Sequence, residues 1–270
     1  MGAVPRATYL DGILAAHRAT AAADPRTLGP LLAQAAERPP TRGFAARLLA
    51  DGGAPAVVAE IKRRSPSKGD LAPGLDPARL AGAYARGGAA CLSVLTDEAY
   101  FGGSTTDLAA ASRACALPVL RKDFTVDERD VADARLMRAD AVLLIAAALD
   151  DGLLARCVAL AEDLGLDALV EVHDDAELGR ALAVGARLVG VNSRDLTTFE
   201  VDRELPERLA ASIPEDVVAV AESGIRDEAD AARMAAAGYT AVLVGETLVT
   251  SPDPGATVGR LRAGATAARA

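Results

Sequence analysis

Short apolar runs recur along the chain from about residue 56 onward. Eight of them are rich in β-branched residues, and polar or glycine-containing stretches separate them. They lie at residues 56–61, 91–96, 118–123, 141–146, 168–172, 188–193, 217–222 and 241–245. Their spacing of roughly 20 to 35 residues is the length of one β-strand with the helix that follows it. The pattern therefore predicts eight strands that alternate with helices.

The stretches between these runs place apolar residues at helical spacing. Clear examples are residues 76–88, 127–138, 174–185 and 227–238. Several begin with Asp, a good helix N-cap, and several end with Gly, which commonly stops a helix. Apolar strands that alternate with amphipathic helices indicate a parallel sheet covered by helices. Eight such units favour an α/β fold of the closed (β/α)8 TIM-barrel type over an open doubly wound sheet, and no GxGxxG motif follows the first strand.

The first 50 residues lack this alternation. YLDGILAAHRATAAA and GFAARLLA have apolar residues at helical spacing, and the PPTRG break at residues 39–43 separates them. We predict a single domain, with a helical N-terminal extension over residues 1–50 and the barrel over residues 51–270. His17 is interpreted as a solvated or partly packed residue of the first helix.

Composition and charge narrow the classes of function. Of the 270 residues, 51% are hydrophobic, so the chain can bury a large core. The net charge of −9 argues against binding to nucleic acid or to an anionic membrane. An anionic ligand would therefore need positive charge concentrated in its own pocket. We expect a small-molecule ligand and a monomer or weak homo-oligomer.

The cysteines and apolar runs bear on localisation. Cys91, Cys115 and Cys157 are far apart and form no CxxC motif, which is typical of reduced thiols and provides no metal site. The N-terminus has no apolar leader, and the longest apolar run, residues 141–149, is too short to span a bilayer. These features predict a soluble, cytoplasmic protein.

The first strand ends in an unusual way. Glu60 and Lys62 lie two residues apart, so they share one face of the strand, and the polar loop RRSPSKG follows at once. Opposite charges at the end of a buried strand are usually paired or used. We expect Glu60 and Lys62 to be fixed by the strand and the loop to close over a ligand. In that loop Ser65 is the expected contact, whereas Lys68 fits a solvent position equally well.

Other strands also end in polar residues. The active sites of (β/α)8 barrels lie at the C-terminal ends of the strands, where these side chains would meet. They are Lys122 with Phe124 two residues on, Glu171, Asn192 with Arg194, and Glu222 with Ser223. His173 is interpreted as a loop residue rather than as a base. The cations Lys62, Lys122 and Arg194 would balance the carboxylates Glu60, Glu171 and Glu222.

Strands seven and eight lead into glycine-containing turns, AESGIRD and LVGETL. Such turns at helix N-termini form the common phosphate site of this fold, because free backbone N–H groups and the helix dipole favour an anion. Gly224, Gly245 and Glu246 are the candidate residues. The Glu246 carboxylate would repel phosphate, so we expect its backbone N–H to face the ligand and its side chain to point away.

The motifs at these strand ends resemble one enzyme family, the indole-3-glycerol phosphate synthases. AEIKRRSPSKG, VLTDEAYFGGS, LRKDF, DAVLLIAAAL, LVEVHDDAEL, VGVNSRDL, VAESGI and AVLVGETL occur in the family's order over about residues 56–250. The resemblance implies ring closure of 1-(2-carboxyphenylamino)-1-deoxyribulose 5-phosphate to indole-3-glycerol phosphate, with loss of carbon dioxide and water, in tryptophan biosynthesis. It also implies that neither a cofactor nor a metal takes part, and that the N-terminal helices pack beside the active-site mouth.

The resemblance further implies roles for the strand-end residues. The attacked ketone oxygen needs a proton donor, the departing hydroxyl needs an acid, and the new ring must lose a proton to a base. By matching position, Lys122 is the general acid and Glu171 the general base. A lysine suits that role if burial or nearby cations lower its pKa. Lys62 would contact the phosphate and the carboxylate and share the acid role, and Glu60 would orient Lys62 and the substrate hydroxyls. Asn192 and Arg194 would hold the anthranilate part, and Phe124 would form the apolar wall beside it. The other residues implied are Glu222 and Ser223 for binding the substrate, and Gly224, Gly245 and Glu246 for binding the phosphate.

Three other interpretations remain open on the sequence. A phosphosugar isomerase on the same barrel would share the phosphate turns, but it would use a pair of carboxylates. A Schiff-base aldolase would use Lys122 or Lys62 as its nucleophile. A non-catalytic barrel subunit would be expected to lose some of the polar strand ends, all of which are present here.

Overall fold

Eight parallel strands form a closed barrel in the computed structural model, which describes residues 8–50, 55–195 and 198–267. The strands are β1 (Ala56–Ile61), β2 (Cys91–Leu95), β3 (Val119–Lys122), β4 (Ala141–Ile145), β5 (Asp167–Val172), β6 (Leu188–Asn192), β7 (Val218–Glu222) and β8 (Ala241–Val244). Neighbours in sequence are neighbours in the barrel, and β1 pairs with both β2 and β8. The predicted (β/α)8 fold is therefore confirmed. Most strand residues are buried, as expected for a parallel barrel covered by helices.

Helices cover the barrel from outside. They are α4 (Pro77–Gly87), α5 (Glu98–Phe101), α6 (Thr105–Ala114), α7 (Glu128–Leu136), α8 (Asp151–Asp163), α9 (Asp175–Ala183), α10 (Leu205–Ala210), α11 (Glu228–Ala236), α12 (Glu246–Val249) and α13 (Pro254–Ala267), with a 3-10 turn at Ala146–Ala148. As the Asp-rich starts predicted, aspartate side chains cap many of them, among them Asp76, Asp127, Asp174 and Asp227. A capping carboxylate accepts from otherwise unpaired N–H groups of the first turn.

The described residues before β1 form three helices rather than the two that the sequence predicted. They are α1 (Tyr9–Ala23), α2 (Leu28–Ala36) and α3 (Phe44–Leu49). The sequence interpretation missed α2. Its Pro30 lies in the first turn, where the missing N–H breaks no helical hydrogen bond. The predicted boundary between residues 50 and 51 borders residues 51–54, which lie outside the described residues.

The three helices contact different parts of the barrel, with α1 and α3 at opposite ends. At the C-terminal ends of the strands, the Arg18 guanidinium on α1 donates to the carbonyl of Ala148 at 2.8 Å. Between the ends, α2 packs against α7. At the N-terminal ends, the backbone N–H of Ala45 on α3 donates to Asp167 Oδ2 at 2.9 Å. Only the α1 contact lies on the side of the mouth, where the family resemblance placed the extension.

The loop after β1 contains a short antiparallel hairpin, Arg64–Ser65 with Gly69–Asp70. Two arginines tie it to the next βα unit. The Arg63 guanidinium binds the Asp107 carboxylate of α6, and the Arg64 guanidinium donates to the carbonyls of Glu98 and Ala99. The loop thus has a defined fold beside the C-terminal ends of the strands. Across the described ranges, no helix combines the length and the apolar character needed to cross a membrane.

Candidate active site

A cavity of about 490 Å³ opens at the C-terminal ends of the strands. This volume is in the usual range for small-molecule sites. Its walls include every residue that the sequence predicted for the site: Glu60, Lys62, Ser65, Lys122, Phe124, Glu171, Asn192, Arg194, Glu222, Ser223, Gly224, Gly245 and Glu246. Parallel strands bring their C-terminal ends to one side of a barrel, so residues far apart in sequence meet here.

Glu60 and Lys62 form an ion pair at the end of β1. The Lys62 Nζ lies 2.6 Å from Glu60 Oε1. Gly245, which follows the adjacent strand β8, makes room for the pair, because a Cβ at this position would overlap Glu60 Oε1. Glu60 and Lys62 thus lie on the same face of β1, as predicted, and the glycine after β8 leaves space for their ion pair.

Lys122 lies between two buried carboxylates. Its Nζ is 2.6 Å from Glu171 Oε2 and 3.1 Å from Glu222 Oε2. The other oxygen of Glu222 has no hydrogen-bond partner among the described residues, and a Cβ on Gly190 would overlap it. Lys122, at the end of β3, thus pairs with carboxylates at the ends of β5 and β7.

Asn192 links Glu171 to the neighbouring strand ends. Its Nδ2 donates to Glu171 Oε1 at 3.1 Å, and its Oδ1 accepts from Ser223 Oγ at 2.8 Å and from the backbone N–H of Arg194 at 3.0 Å. Because the amide nitrogen faces a carboxylate and the oxygen faces two donors, the orientation of the Asn192 side chain is fixed.

Lys122, Glu171 and Glu222 are buried together, and all three have shifted pKa values. Burial alone would lower the pKa of Lys122, but the charges of Glu171, Glu222 and Glu60 outweigh it and raise the pKa. Burial opposes ionisation of Glu171, yet the Lys122 cation and His173 together hold the pKa of Glu171 below its usual range. Burial raises the pKa of Glu222 to about 8, with the Glu171 charge adding to the rise and Lys122 opposing it. The lowered pKa that would suit a lysine acid is therefore not found in this site, since carboxylates rather than cations surround Lys122.

These shifts change the charge of the site. Burial and the charge of Glu171 favour the protonated form of Glu222, which would reduce the negative charge of the site. The balance of three cations with three carboxylates expected from the sequence stays a prediction. A site with less negative charge suits an anionic ligand better.

His173 also contacts a carboxylate of the site and was not predicted as a site residue. It follows β5 directly, and its Nε2 lies 3.5 Å from Glu171 Oε1, while its Nδ1 lies 3.0 Å from Glu177 Oε2. Burial would lower the pKa of His173, but these two carboxylates raise it to about 10. A carboxylate four residues further along the chain was the sequence signal for this pairing.

Arg194 contacts the loop that follows β1. Its Nη1 donates to Ser67 Oγ at 3.3 Å and to the carbonyl of Phe199 at 3.1 Å. Ser65 Oγ and Ser67 Oγ are 3.5 Å apart, and both residues line the cavity. The sequence interpretation named Ser65 alone, and Ser67 was missed because two serines of one loop cannot be ranked without the loop's backbone.

The ends of β7 and β8 form a turn-lined part of the cavity. Ser223 and Gly224 have positive φ angles of 63° and 75°, a conformation that turns the backbone sharply. The side chain of Glu246 is 44% exposed, and its Oε1 lies 3.8 Å from Lys68 Nζ. Arg203 and Arg226 also line the cavity and add positive charge that the sequence interpretation did not include.

Aromatic rings form an apolar wall. Phe124 is buried, and its ring centroid lies 6.1 Å from that of Phe101 and 5.4 Å from that of His17. Phe101, Phe199, Leu143 and Ile145 line the same cavity. His17 is partly packed, as expected, but it also contacts the site wall, which periodicity alone does not indicate.

The described residues contain one set with possible metal-ligand geometry, His17, Asp97 and Asp123. Each member already has partners. His17 Nε2 lies 3.0 Å from Asp97 Oδ2, and Asp123 Oδ2 accepts from Thr96 and from Arg121. The Arg121 guanidinium, 3.0 Å from Asp123, would repel a cation. The arrangement suits an ion-pair network better than a metal.

The family model described as indole-3-glycerol phosphate synthase matches residues 10–261. The chain belongs to this family. It is 49% identical over 249 residues to the indole-3-glycerol phosphate synthase of Rhodococcus jostii, with 92% of each chain covered. It is also 52% identical over 233 residues to indole-3-glycerol phosphate synthase 2 of Streptomyces coelicolor, with 86% of this chain and 90% of the relative covered.

A solved structure, thiamine phosphate pyrophosphorylase from Pyrococcus furiosus, also aligns with a TM-score of 0.58 over 80% of this chain and 97% of that one. At 18% sequence identity this likeness shows the barrel fold alone. The indole-3-glycerol phosphate synthase family match, by contrast, spans every residue described above for the site. The resemblance in the sequence motifs is therefore confirmed at the level of the family.

Proposed function

We propose that the protein catalyses ring closure of 1-(2-carboxyphenylamino)-1-deoxyribulose 5-phosphate. The aromatic carbon that carries the carboxylate attacks the ketone carbon, carbon dioxide leaves, and loss of water gives indole-3-glycerol phosphate. The observation that supports this activity best is the position of Lys122 between Glu171 and Glu222, in a cavity that also holds the Glu60–Lys62 pair. The family membership supports the same reaction.

Lys122 would act as the general acid. Its raised pKa keeps the ammonium group protonated at neutral pH, so it has a proton to donate as charge develops on the ketone oxygen. The high pKa would make it a weak acid while its carboxylate partners are ionised. Proton donation therefore requires that the ion pair with Glu171 loosens as substrate contacts form.

Glu171 would act as the general base in the dehydration step. Its lowered pKa means that it is ionised and able to accept a proton throughout the physiological range. Lys62, 2.6 Å from Glu60, would contact phosphate and carboxylate and share the acid role between the two chemical steps. Glu60 would orient Lys62 and the substrate hydroxyls.

The remaining residues would bind the substrate. Arg194 presents a planar guanidinium suited to the anthranilate carboxylate, and Asn192 lies beside it. The turns at Gly224 and Gly245 with Glu246 would bind phosphate through backbone N–H groups, and Phe124 would contact the aromatic ring. Glu222 and Ser223, both in the cavity wall, would contact the sugar chain.

The arrangement of charges disfavours the three other interpretations. A Schiff-base aldolase needs an unprotonated lysine, whereas the carboxylates around Lys122 raise its pKa. A phosphosugar isomerase would use its carboxylates for proton transfer without a lysine between them, whereas here Lys122 bridges Glu171 and Glu222. A non-catalytic subunit would have no need to bury this network of charges.

The test is a single fluorescence assay. The protein is incubated with the carboxyphenylamino deoxyribulose phosphate, and appearance of indole fluorescence is followed. We expect product to form without added metal or cofactor. If folded, reduced protein gives no product, the proposal is wrong; trapping of substrate on a lysine by borohydride would instead support the aldolase.

We further propose that the protein is cytoplasmic and is a monomer or weak homo-oligomer that binds neither nucleic acid nor membranes. The net charge of −9 supports the last point. Among the described residues, the large exposed hydrophobic side chains are Tyr9 and Leu49, too few for an extensive apolar interface. Light scattering over a range of concentrations tests the oligomeric state, and a stable oligomer at micromolar concentration would contradict it.

A further inference from the structure

His173 has no role in the mechanism above, yet it contacts the proposed base. We propose that His173 is a positioning residue: clamped by Glu177, it lies against Glu171 and fixes the orientation and charge of that carboxylate for proton transfer. This inference rests on the proposed function, because it concerns the base of the same reaction. His173 itself forms and breaks no bond in any step.

The clamp on His173 has two contacts with one carboxylate oxygen. The backbone N–H of His173 donates to Glu177 Oε2 at 2.8 Å, and the ring Nδ1 lies 3.0 Å from the same oxygen. Glu177 lies in the first turn of α9, whose N-cap Asp174 accepts from the Glu177 backbone N–H. The helix start therefore fixes the backbone and the ring of His173 together.

The clamped ring places its other nitrogen near Glu171. Nε2 is buried and lies 3.5 Å from Glu171 Oε1, within ion-pairing distance, and it has no hydrogen-bond partner in the described part of the chain. Glu171 Oε1 also accepts from Asn192 on β6. Without His173, Asn192 alone would hold this oxygen.

The charges around Glu171 come from several strands. Lys122 on β3 binds Oε2, Glu222 on β7 binds the same lysine, and Glu60 on β1 adds a further negative charge to the Lys122 environment. When Lys122 loosens to donate its proton, Glu171 would lose its main cationic partner. A second cation on Oε1 keeps Glu171 ionised at that moment, and the raised pKa of His173 is consistent with a permanent imidazolium.

The sequence contains two histidines, so nitrogen-15 NMR of the imidazole rings can measure the protonation of His173 directly. His17→Gln assigns the two sets of signals. We expect both ring nitrogens of His173 to remain protonated at pH 8. Glu177→Gln or Glu171→Gln should each lower the pKa of His173 by on the order of one unit, because each removes an opposing charge. Glu162→Gln, an exposed carboxylate on α8, is the matched control and should leave it unchanged.

Kinetics then test the role in turnover. His173→Gln should lower kcat on the order of tenfold and leave KM within about twofold, because substrate binding does not involve this ring. The acidic limb of the kcat–pH profile should move to higher pH, since loss of the cation raises the pKa of Glu171. Glu177→Gln, which leaves the ring in place, should change the profile in the same direction by a smaller amount.

Two results would overturn the inference. One is a His173 ring that titrates near pH 6.5 and whose pKa is the same in both carboxylate variants as in the wild type. The other is a pH profile for folded His173→Gln that superimposes on the wild type, even if kcat falls. An inactive wild-type enzyme would instead disprove the proposed function, and the NMR titrations would still show whether the Glu177–His173–Glu171 arrangement exists.

Discussion

Both ends of the barrel bury carboxylates, but they satisfy them differently. At the N-terminal end, Asp140 accepts from the backbone N–H groups of Arg42 and Val119 at 2.7 and 2.8 Å and from the Arg42 side chain at 2.9 Å. At the C-terminal end, Glu171 and Glu222 share the side chain of Lys122, and Glu171 also accepts from the Asn192 side chain. The first set of donors includes two backbone N–H groups, whereas the donors named for the second are side chains, of which the shared ammonium group can move.

The difference separates structural charge from functional charge. A backbone donor cannot leave or lose its proton, so Asp140 fixes the segment before α3 and the start of β3 in place. A lysine shared by two carboxylates can exchange partners and transfer a proton, although its own burial is unfavourable. Variants at the two ends should therefore affect different measured quantities, stability at one and turnover at the other.

The largest expected effect is at Lys122. Lys122→Met should lower kcat on the order of 10³-fold, equivalent to about 4 kcal/mol of transition-state stabilisation, because it removes the general acid. Product binding should change little. Single-turnover fluorescence measures the first quantity and a product titration the second; near-normal turnover would remove Lys122 as the acid.

Glu171→Gln should have the next largest effect. The amide cannot accept a proton, so dehydration should slow by on the order of 10²-fold, or about 3 kcal/mol. A ring-closed intermediate that precedes loss of water should accumulate, and rapid quenching with chromatography would detect it. Absence of any intermediate in a slow variant would argue that Glu171 is not the base of this step.

At the other end, Asp140→Asn should lower the free energy of unfolding by about 2 kcal/mol, since one buried oxygen becomes a donor that faces N–H groups. Per folded molecule, kcat and KM should match the wild type. Urea denaturation and activity measured on the same samples test both statements. Asp163→Asn, at an exposed position of α8, is the control; a loss of kcat in folded Asp140→Asn would contradict the separation of the two ends.

The smallest effect should come from His17, which joins α1 to the mouth. The hydrogen bond to Asp97 outweighs burial and raises the pKa of His17. The folded state therefore favours the protonated ring, and this stabilisation is present below about pH 6.5 and lost as pH rises through the raised value. His17→Gln should cost less than about 1 kcal/mol at pH 6 and less still at pH 9. Equal losses at the two pH values would contradict the ion-pair interpretation.

Strand positions and the residues at strand ends could be predicted because both depend on local patterns. Buried parallel strands appear in the sequence as apolar runs. Because side chains alternate along a strand, Glu60 and Lys62 could be assigned to one face. The pKa of Lys122 could not be predicted in the same way, since the carboxylates that raise it lie on three other strands. Likewise α2 and the clamp on His173 depend on packing against α7 and on the start of α9, which periodicity does not encode.

The N-terminal extension has a consequence for the order of folding. Its anchors lie far along the chain: Arg18 binds Ala148, Arg26 binds Asp133, and Ala45 binds Asp167, more than 100 residues away in each case. During synthesis the first 50 residues therefore emerge long before their partners do. Contacts of such high sequence separation form late. A segment made so long before its partners should dock late, and until then its apolar helices would be exposed to chaperones and proteases.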